Sequence, residues 1–207
     1  MRLFHLLNAI ASLAIIPLTV SATPSPGPKP PKPPQPISDR RIHLTHRTIL
    51  SSRSFNETRT ALESAIPPLN TTFVALFAQG NSAGAAEALR ALPPLSSFIV
   101  PPRNFGVLVT VWGDPAEKAV QYEIGNPLTA SKFVRFQLGA SLYAPIRVSL
   151  FEEPEGVVQF AFDTPTSMFG SFGDKRLKET AEALEEELTE LLLFAAGHPS
   201  SWTAPSS

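Results

Sequence analysis

The chain contains no cysteine, and that one absence removes disulfide frameworks, thiol nucleophiles and thiolate metal sites together. Charge is also scarce: Asp, Glu, Lys and Arg make up 17% of the residues, and 17 basic against 18 acidic side chains leave a net charge of −1. No basic face large enough to hold a phosphate backbone is visible, so nucleic acid is not an expected partner. Histidine occurs only four times. His43 and His46 stand three apart, which on a strand puts them on opposite faces, so they cannot share a metal ion there. Neither a metal nor another cofactor is expected. What the sequence has instead is proline, 22 residues of it, and a hydrophobic fraction of 43%. In 207 residues that is enough for one core-forming domain.

The first 22 residues read as an address. Met1 and Arg2 make a short positive start, Leu3 to Val20 is apolar apart from His5, Asn8, Ser12 and Thr19, and Val20-Ser21-Ala22 supplies small residues for a signal-peptidase site. Cleavage is expected before Thr23, leaving 16 basic and 18 acidic residues, and the location expected is secreted or lumenal in the secretory pathway. A membrane anchor is the competing reading; Asn8 and Pro17 interrupt the run, and no Lys/Arg stop-transfer cluster follows it, so no span is expected after cleavage. Residues 23–38 form a Pro-rich linker with eight prolines between Pro24 and Pro36, a composition that favours an extended polyproline II spacer. Two glycosylation sequons, Asn56-Glu57-Thr58 and Asn70-Thr71-Thr72, suit that route.

The folded domain is expected over 39–197, with 198–207 a flexible tail. Ile42–Leu50 reads as a strand. Ser54–Ala65 reads as a helix, with Ser54 at the N-cap, Glu57 completing a capping box, and Pro67-Pro68 beyond its end. Strict alternation predicts strands over Asn104–Trp112 and Ala119–Ile124, and Leu128–Gln137 is a short helix. The segment Thr71–Leu92 is left as helix or loop.

Ile146–Asp163 predicts a hairpin around Pro154-Glu155-Gly156. Pro presets a type I turn and Gly takes the left-handed position of a G1 bulge. In that register Leu150 faces Phe160, Val148 faces Phe162, and Arg147 falls opposite Asp163 as a cross-strand ion pair.

Asp174 starts the strongest helix. Leu177, Ala181, Leu184, Leu188, Leu191 and Ala195 form its apolar stripe, Gly197 takes the C′ position, and Glu179, Glu182, Glu186 and Glu190 form a solvated face. The order β-α-β-β-α-β-β-α is not a regular βαβ alternation. It predicts an α+β sandwich: an antiparallel sheet with helices packed on one face and the polar strand residues on the other.

Three spaced motifs now carry a resemblance. Tyr122-Glu123-Ile124-Gly125-Asn126-Pro127, Leu142-Tyr143-Ala144-Pro145-Ile146-Arg147-Val148 and Phe162-Asp163-Thr164-Pro165 resemble, in this order, the domain of unknown function 302 family. The resemblance runs from Thr48 to Gly197. Pro67-Pro68, the Ala-rich insertion and the first strand fit the family pattern poorly. It implies an α+β fold and self-association as a homodimer, and no established activity. The polar positions that match are Asn126, Tyr143, Arg147 and Asp163. With Tyr122, Phe169 and Phe172 they could line one cleft for a mostly apolar ligand with a polar handle. The other reading of the same residues is that they cap turns and form an ordinary ion pair.

One catalytic motif stands apart. Gly80-Asn81-Ser82-Ala83-Gly84 matches the G-x-S-x-G nucleophile elbow, with Asp163 and His198 following in Ser, Asp, His order. An α/β-hydrolase needs several parallel strands around that elbow, whereas one strand candidate precedes Phe73, and Ser82 also suits a turn or a helix cap. The function expected is therefore a non-hydrolytic domain that binds a small apolar metabolite or lipid, with an accessory role in natural-product biosynthesis as a variant. The alternatives are a serine hydrolase using Ser82 and a wall or matrix protein tethered by its spacer.

Overall fold

The computed structural model describes residues 36–203. The expected leader, most of the Pro-rich linker and the last four residues lie outside the described residues. Regular structure begins at β1 (His46–Leu50), shorter than the strand expected over 42–50. It continues through α1 (Phe55–Ala65), α2 (Thr72–Ala78), α3 (Ser82–Arg90) and two-residue strands β2 (Ser96–Ser97) and β3 (Arg103–Asn104). Then come β4 (Ala119–Gly125), α4 (Pro127–Val134), β5 (Ile146–Glu152), β6 (Val158–Asp163), α5 (Pro165–Gly170) and α6 (Lys178–Ala195).

The six strands form one antiparallel sheet in the order β1-β6-β5-β4-β2, and β3 also pairs with β4. Even-numbered residues of β4, β5 and β6 point to the core: Val120, Tyr122, Ile124, Ile146, Val148, Leu150, Val158, Phe160 and Phe162 are all buried. Against them lie Leu62 of α1 and Leu184, Leu188, Leu191 and Leu192 of α6, in one continuous cluster. A fully buried Leu or Phe of this kind contributes about 1.5–3 kcal/mol relative to exposure. The fold is thus the α+β sheet-and-helix layer that the alternation implies.

Local chemistry accounts for the elements that match expectation. At α1 the Ser54 hydroxyl accepts from Glu57 N, and the Glu57 carboxylate accepts from Ser54 N, so two otherwise unpaired helix-end donors are satisfied. The hairpin turns at Pro154-Glu155-Gly156, with Gly156 at φ +79° and Gly156 N donating to Glu153 O. Its register pairs Leu150 with Phe160 and Ser149 with Ala161. Gly197 and His198 donate to Phe194 O and Leu193 O, the two-bond termination of a Schellman motif on α6.

Other expectations are corrected. The strand expected over 104–112 ends at Asn104: after β3 the chain enters a 3-10 segment, Gly106–Trp112. Asn104 Oδ1 accepts from Val107 N and bends the chain out of the ladder. Gly106 approaches the Glu117 carbonyl so closely that a Cβ would lie 1.8 Å from its oxygen. The alternating Val residues therefore meet no core, and Val111 and Trp112 are 74% and 84% exposed. The helix after β4 begins at Pro127, because Asn126 is its N-cap and Pro127 sits where a missing N–H costs nothing. Thr164-Pro165 likewise opens α5, an element that was not expected.

The tail is not free over its described part. His198 Nε2 lies 2.6 Å from Leu50 O, and Glu190 accepts from Ser200 Oγ, Ser201 Oγ and Ser201 N. Glu190 is thereby an anchor for the C-terminal segment instead of one more solvated carboxylate.

Candidate functional site

The residues named from sequence fall on two sides of the sheet. Arg147 and Asp163 stand on the face without helices. There the ladder sets Arg147 opposite Glu123 and Asp163 opposite His46. The expected Arg147–Asp163 ion pair is absent among the described residues, because Asp163 Oδ1 is engaged at 3.2 Å by His46 Nδ1. Glu123 in turn accepts from Arg103 Nη1 at 2.6 Å. Tyr122 points the other way, into the core. Its hydroxyl donates to Glu63 Oε1 at 3.1 Å, and burial pushes its pKa up strongly, with the nearby Glu63 carboxylate adding to the effect. Arg59 Nε also donates to Glu63 Oε1, so the buried phenol ends in a satisfied network.

Tyr143 and Asn126 lie on the helix side. Tyr143 packs edge-on against Phe169 and Phe172, with ring centroids 6.0 and 5.8 Å apart. Phe169 stacks face to face on Phe133 of α4, with centroids 3.7 Å apart. Asn126 is buried at the end of β4: its Oδ1 accepts from Leu128 N and Thr129 N, and its Nδ2 donates to Pro93 O at 2.7 Å. One cleft shared by all the named residues is therefore not formed.

A cavity of about 240 Å³ does open beside Asn126. Its walls are Ile124 and Gly125 from β4, Pro127, Ala130, Phe133 and Val134 from α4, Pro145 and Ile146 at the start of β5, Phe98, Phe169 of α5 and Leu184 of α6. Thr129 and Ser131 add hydroxyls, and no wall residue carries a charge. The sequence does contain a signal for it. Pro127, Ala130 and Val134 follow at helical spacing on α4 and mark a second apolar face, but nothing local says that this face meets a hollow instead of packed side chains. Phe98 was missed because its segment has no periodicity. A larger hollow of about 510 Å³ lies over β4 and β5 on the uncovered face, and Glu117, Lys118 and Glu152 are among its walls.

The elbow motif loses its context. Phe73–Ala78 lies within α2, so Ser82 follows a helix, not a strand, and it is the exposed first residue of α3. Asn81 caps that helix by accepting from Gly84 N. Asp163 and His198 are engaged by His46 and Leu50 O, so the motif is a helix–turn–helix joint. Of the sequon asparagines, Asn56 is exposed on the first turn of α1, while Thr58 is buried and donates to Ser54 O. Asn70 is exposed, and its Oδ1 accepts from Thr72 N and Oγ1.

With this geometry in place, the comparisons with known proteins bear on the fold. Residues 108–193 match the family model described as Domain of unknown function DUF302. A solved structure, the uncharacterized conserved protein DUF302 from Bacillus stearothermophilus, is similar to this chain at 20% identity with a TM-score of 0.53. The alignment covers 72% of this chain and 97% of that one. No curated protein matches the chain. The family match starts within the 3-10 segment that precedes β4, well inside the Thr48–Gly197 span of the resemblance.

Proposed function

We propose that this protein is a non-hydrolytic binding domain of the secretory route, and that it holds a small apolar metabolite or lipid group in the cavity between α4, α6 and the β4–β5 sheet end. The observation that carries the reading is the composition of that cavity: a hollow walled by Phe98, Phe133, Phe169, Pro127, Pro145 and Leu184 with no charged side chain. Apolar hollows with a few polar groups are where small ligands gain most of their burial. The leader-like start and the two sequons support a secreted or lumenal location. An accessory role in natural-product assembly is the form this function would take if the bound molecule is a reactive intermediate, which binding would accelerate by orientation alone.

The test is native mass spectrometry of the protein from its own host's secretory fraction, followed by organic extraction. The expected result is a bound apolar compound that is lost in a folded Ala130→Leu variant, whose larger side chain enters the cavity. A protein that is empty at native mass, with nothing in the extract, would overturn the reading in favour of a wall or matrix role.

A further inference from the structure

Resting on that cavity reading, we infer that the occupant's buried part is uncharged, a single substituted ring or a short acyl segment with one polar handle, and that carboxylates and phosphates are excluded. The polar side chains of the wall are few, neutral and largely committed. Asn126 Oδ1 accepts from Leu128 N and Thr129 N and its Nδ2 donates to Pro93 O, which leaves one amide N–H. The Ser131 hydroxyl donates to Leu128 O at 2.6 Å. Among the described residues, Thr129 is the wall side chain whose hydroxyl has no hydrogen-bond partner, so it can serve one hydroxyl or carbonyl of a ligand. An anion would enter with no countercharge and at most two neutral donors, the Thr129 hydroxyl and one Asn126 N–H, and burying an unpaired charge is strongly unfavourable.

Size limits the occupant further. A dry apolar cavity of about 150 Å³ accepts a benzene ring. At about 240 Å³, this one has room for a substituted ring or a short chain.

The experiment is saturation-transfer NMR titration of the full chain at neutral pH with two matched pairs: p-cresol against 4-hydroxybenzoate, and hexanol against hexanoate. The neutral member of each pair should bind saturably and at least about tenfold more tightly than its anion. Ala130→Leu should weaken the neutral probes by about tenfold or more while the melting temperature holds. Thr129→Val, which keeps the shape and removes the hydroxyl, should weaken p-cresol but leave toluene unchanged, and it serves as the second variant if Ala130→Leu misfolds. Equal or tighter binding of the anions, still blocked by Ala130→Leu, would overturn the inference and leave the cavity reading standing. Neutral binding that neither variant changes would overturn both. No saturable binding of any probe would overturn the inference, and the extracted host ligand then decides the cavity reading separately.

Discussion

Two single residues carry costs that a measurement can expose. Ser96 is 1% exposed, and its hydroxyl has no partner among the described residues. It sits opposite Gly125, a wall residue of the cavity. An orphaned buried hydroxyl costs about 1–3 kcal/mol, so Ser96→Ala should raise stability by about 1 kcal/mol in urea denaturation. A loss of stability would mean that the hydroxyl is satisfied by a bound water or ligand group. The other residue is Glu187, whose pKa is pushed up by burial, partly offset by the Lys132 ammonium and reinforced by Glu186. A carboxyl with a raised folded-state pKa favours folding only while it is protonated, and that contribution disappears as pH rises through the interval between its unfolded and folded pKa values. Glu187→Gln should therefore raise the melting temperature at pH 7, and the gain should shrink toward pH 4. An equal gain at both pH values would show that the charge is not the cause.

At the scale of elements, legibility followed locality. The α1 cap, the 154–156 turn, and the alternating core faces of β4, β5 and β6 are each set by residues within a few positions of one another, and all were readable. The stretch from 66 to 112 was not. Its α2 buries no residue at all, and the valines of 107–111 alternate like a strand while Asn104 and the Gly106–Glu117 contact turn the backbone away. Alternation reports a face only when something lies against it. The site shows the same division. Asn126 was singled out, but its role comes from Pro93, 33 positions away, whose carbonyl it binds while capping α4. Asn126→Ala removes a cap worth about 1 kcal/mol and also leaves the Pro93 carbonyl without this donor. We expect a loss of about 1–3 kcal/mol in chemical denaturation. Asn126→Asp keeps the cap acceptor but loses the amide donor, so it should fall between Ala and wild type; a full loss in Asp would place the weight on the Pro93 bond.

For the molecule as a whole, the C-terminal segment acts as a strap across distant parts of the chain. His198 reaches Leu50 O on β1, Ser200 and Ser201 bind Glu190 on α6, and Trp202 packs partly into the core. None of this was visible in a Ser/Pro-rich tail, because its partners are remote in sequence and its polar residues carry no periodic signal. Truncation after Gly197 should lower the melting temperature and remove the buried, blue-shifted part of the tryptophan emission, leaving Trp112, which is 84% exposed. The pH dependence separates the hydrogen bonds of the strap from the packing of Trp202. Donation from Ser201 and Ser200 holds the Glu190 carboxyl below its usual range. A carboxyl with a depressed folded-state pKa contributes stability that is present above the unfolded pKa and is lost as pH falls through the folded one. The gap in melting temperature between intact and truncated protein should therefore narrow as acid protonates Glu190, leaving the part due to Trp202 and to the bonds of His198 and Ser200 to backbone carbonyls. Trp202→Ala should show the opposite signature, a smaller gap that stays constant across the same pH range. If the truncation gap were also constant, the strap would be held by apolar packing and not by Glu190.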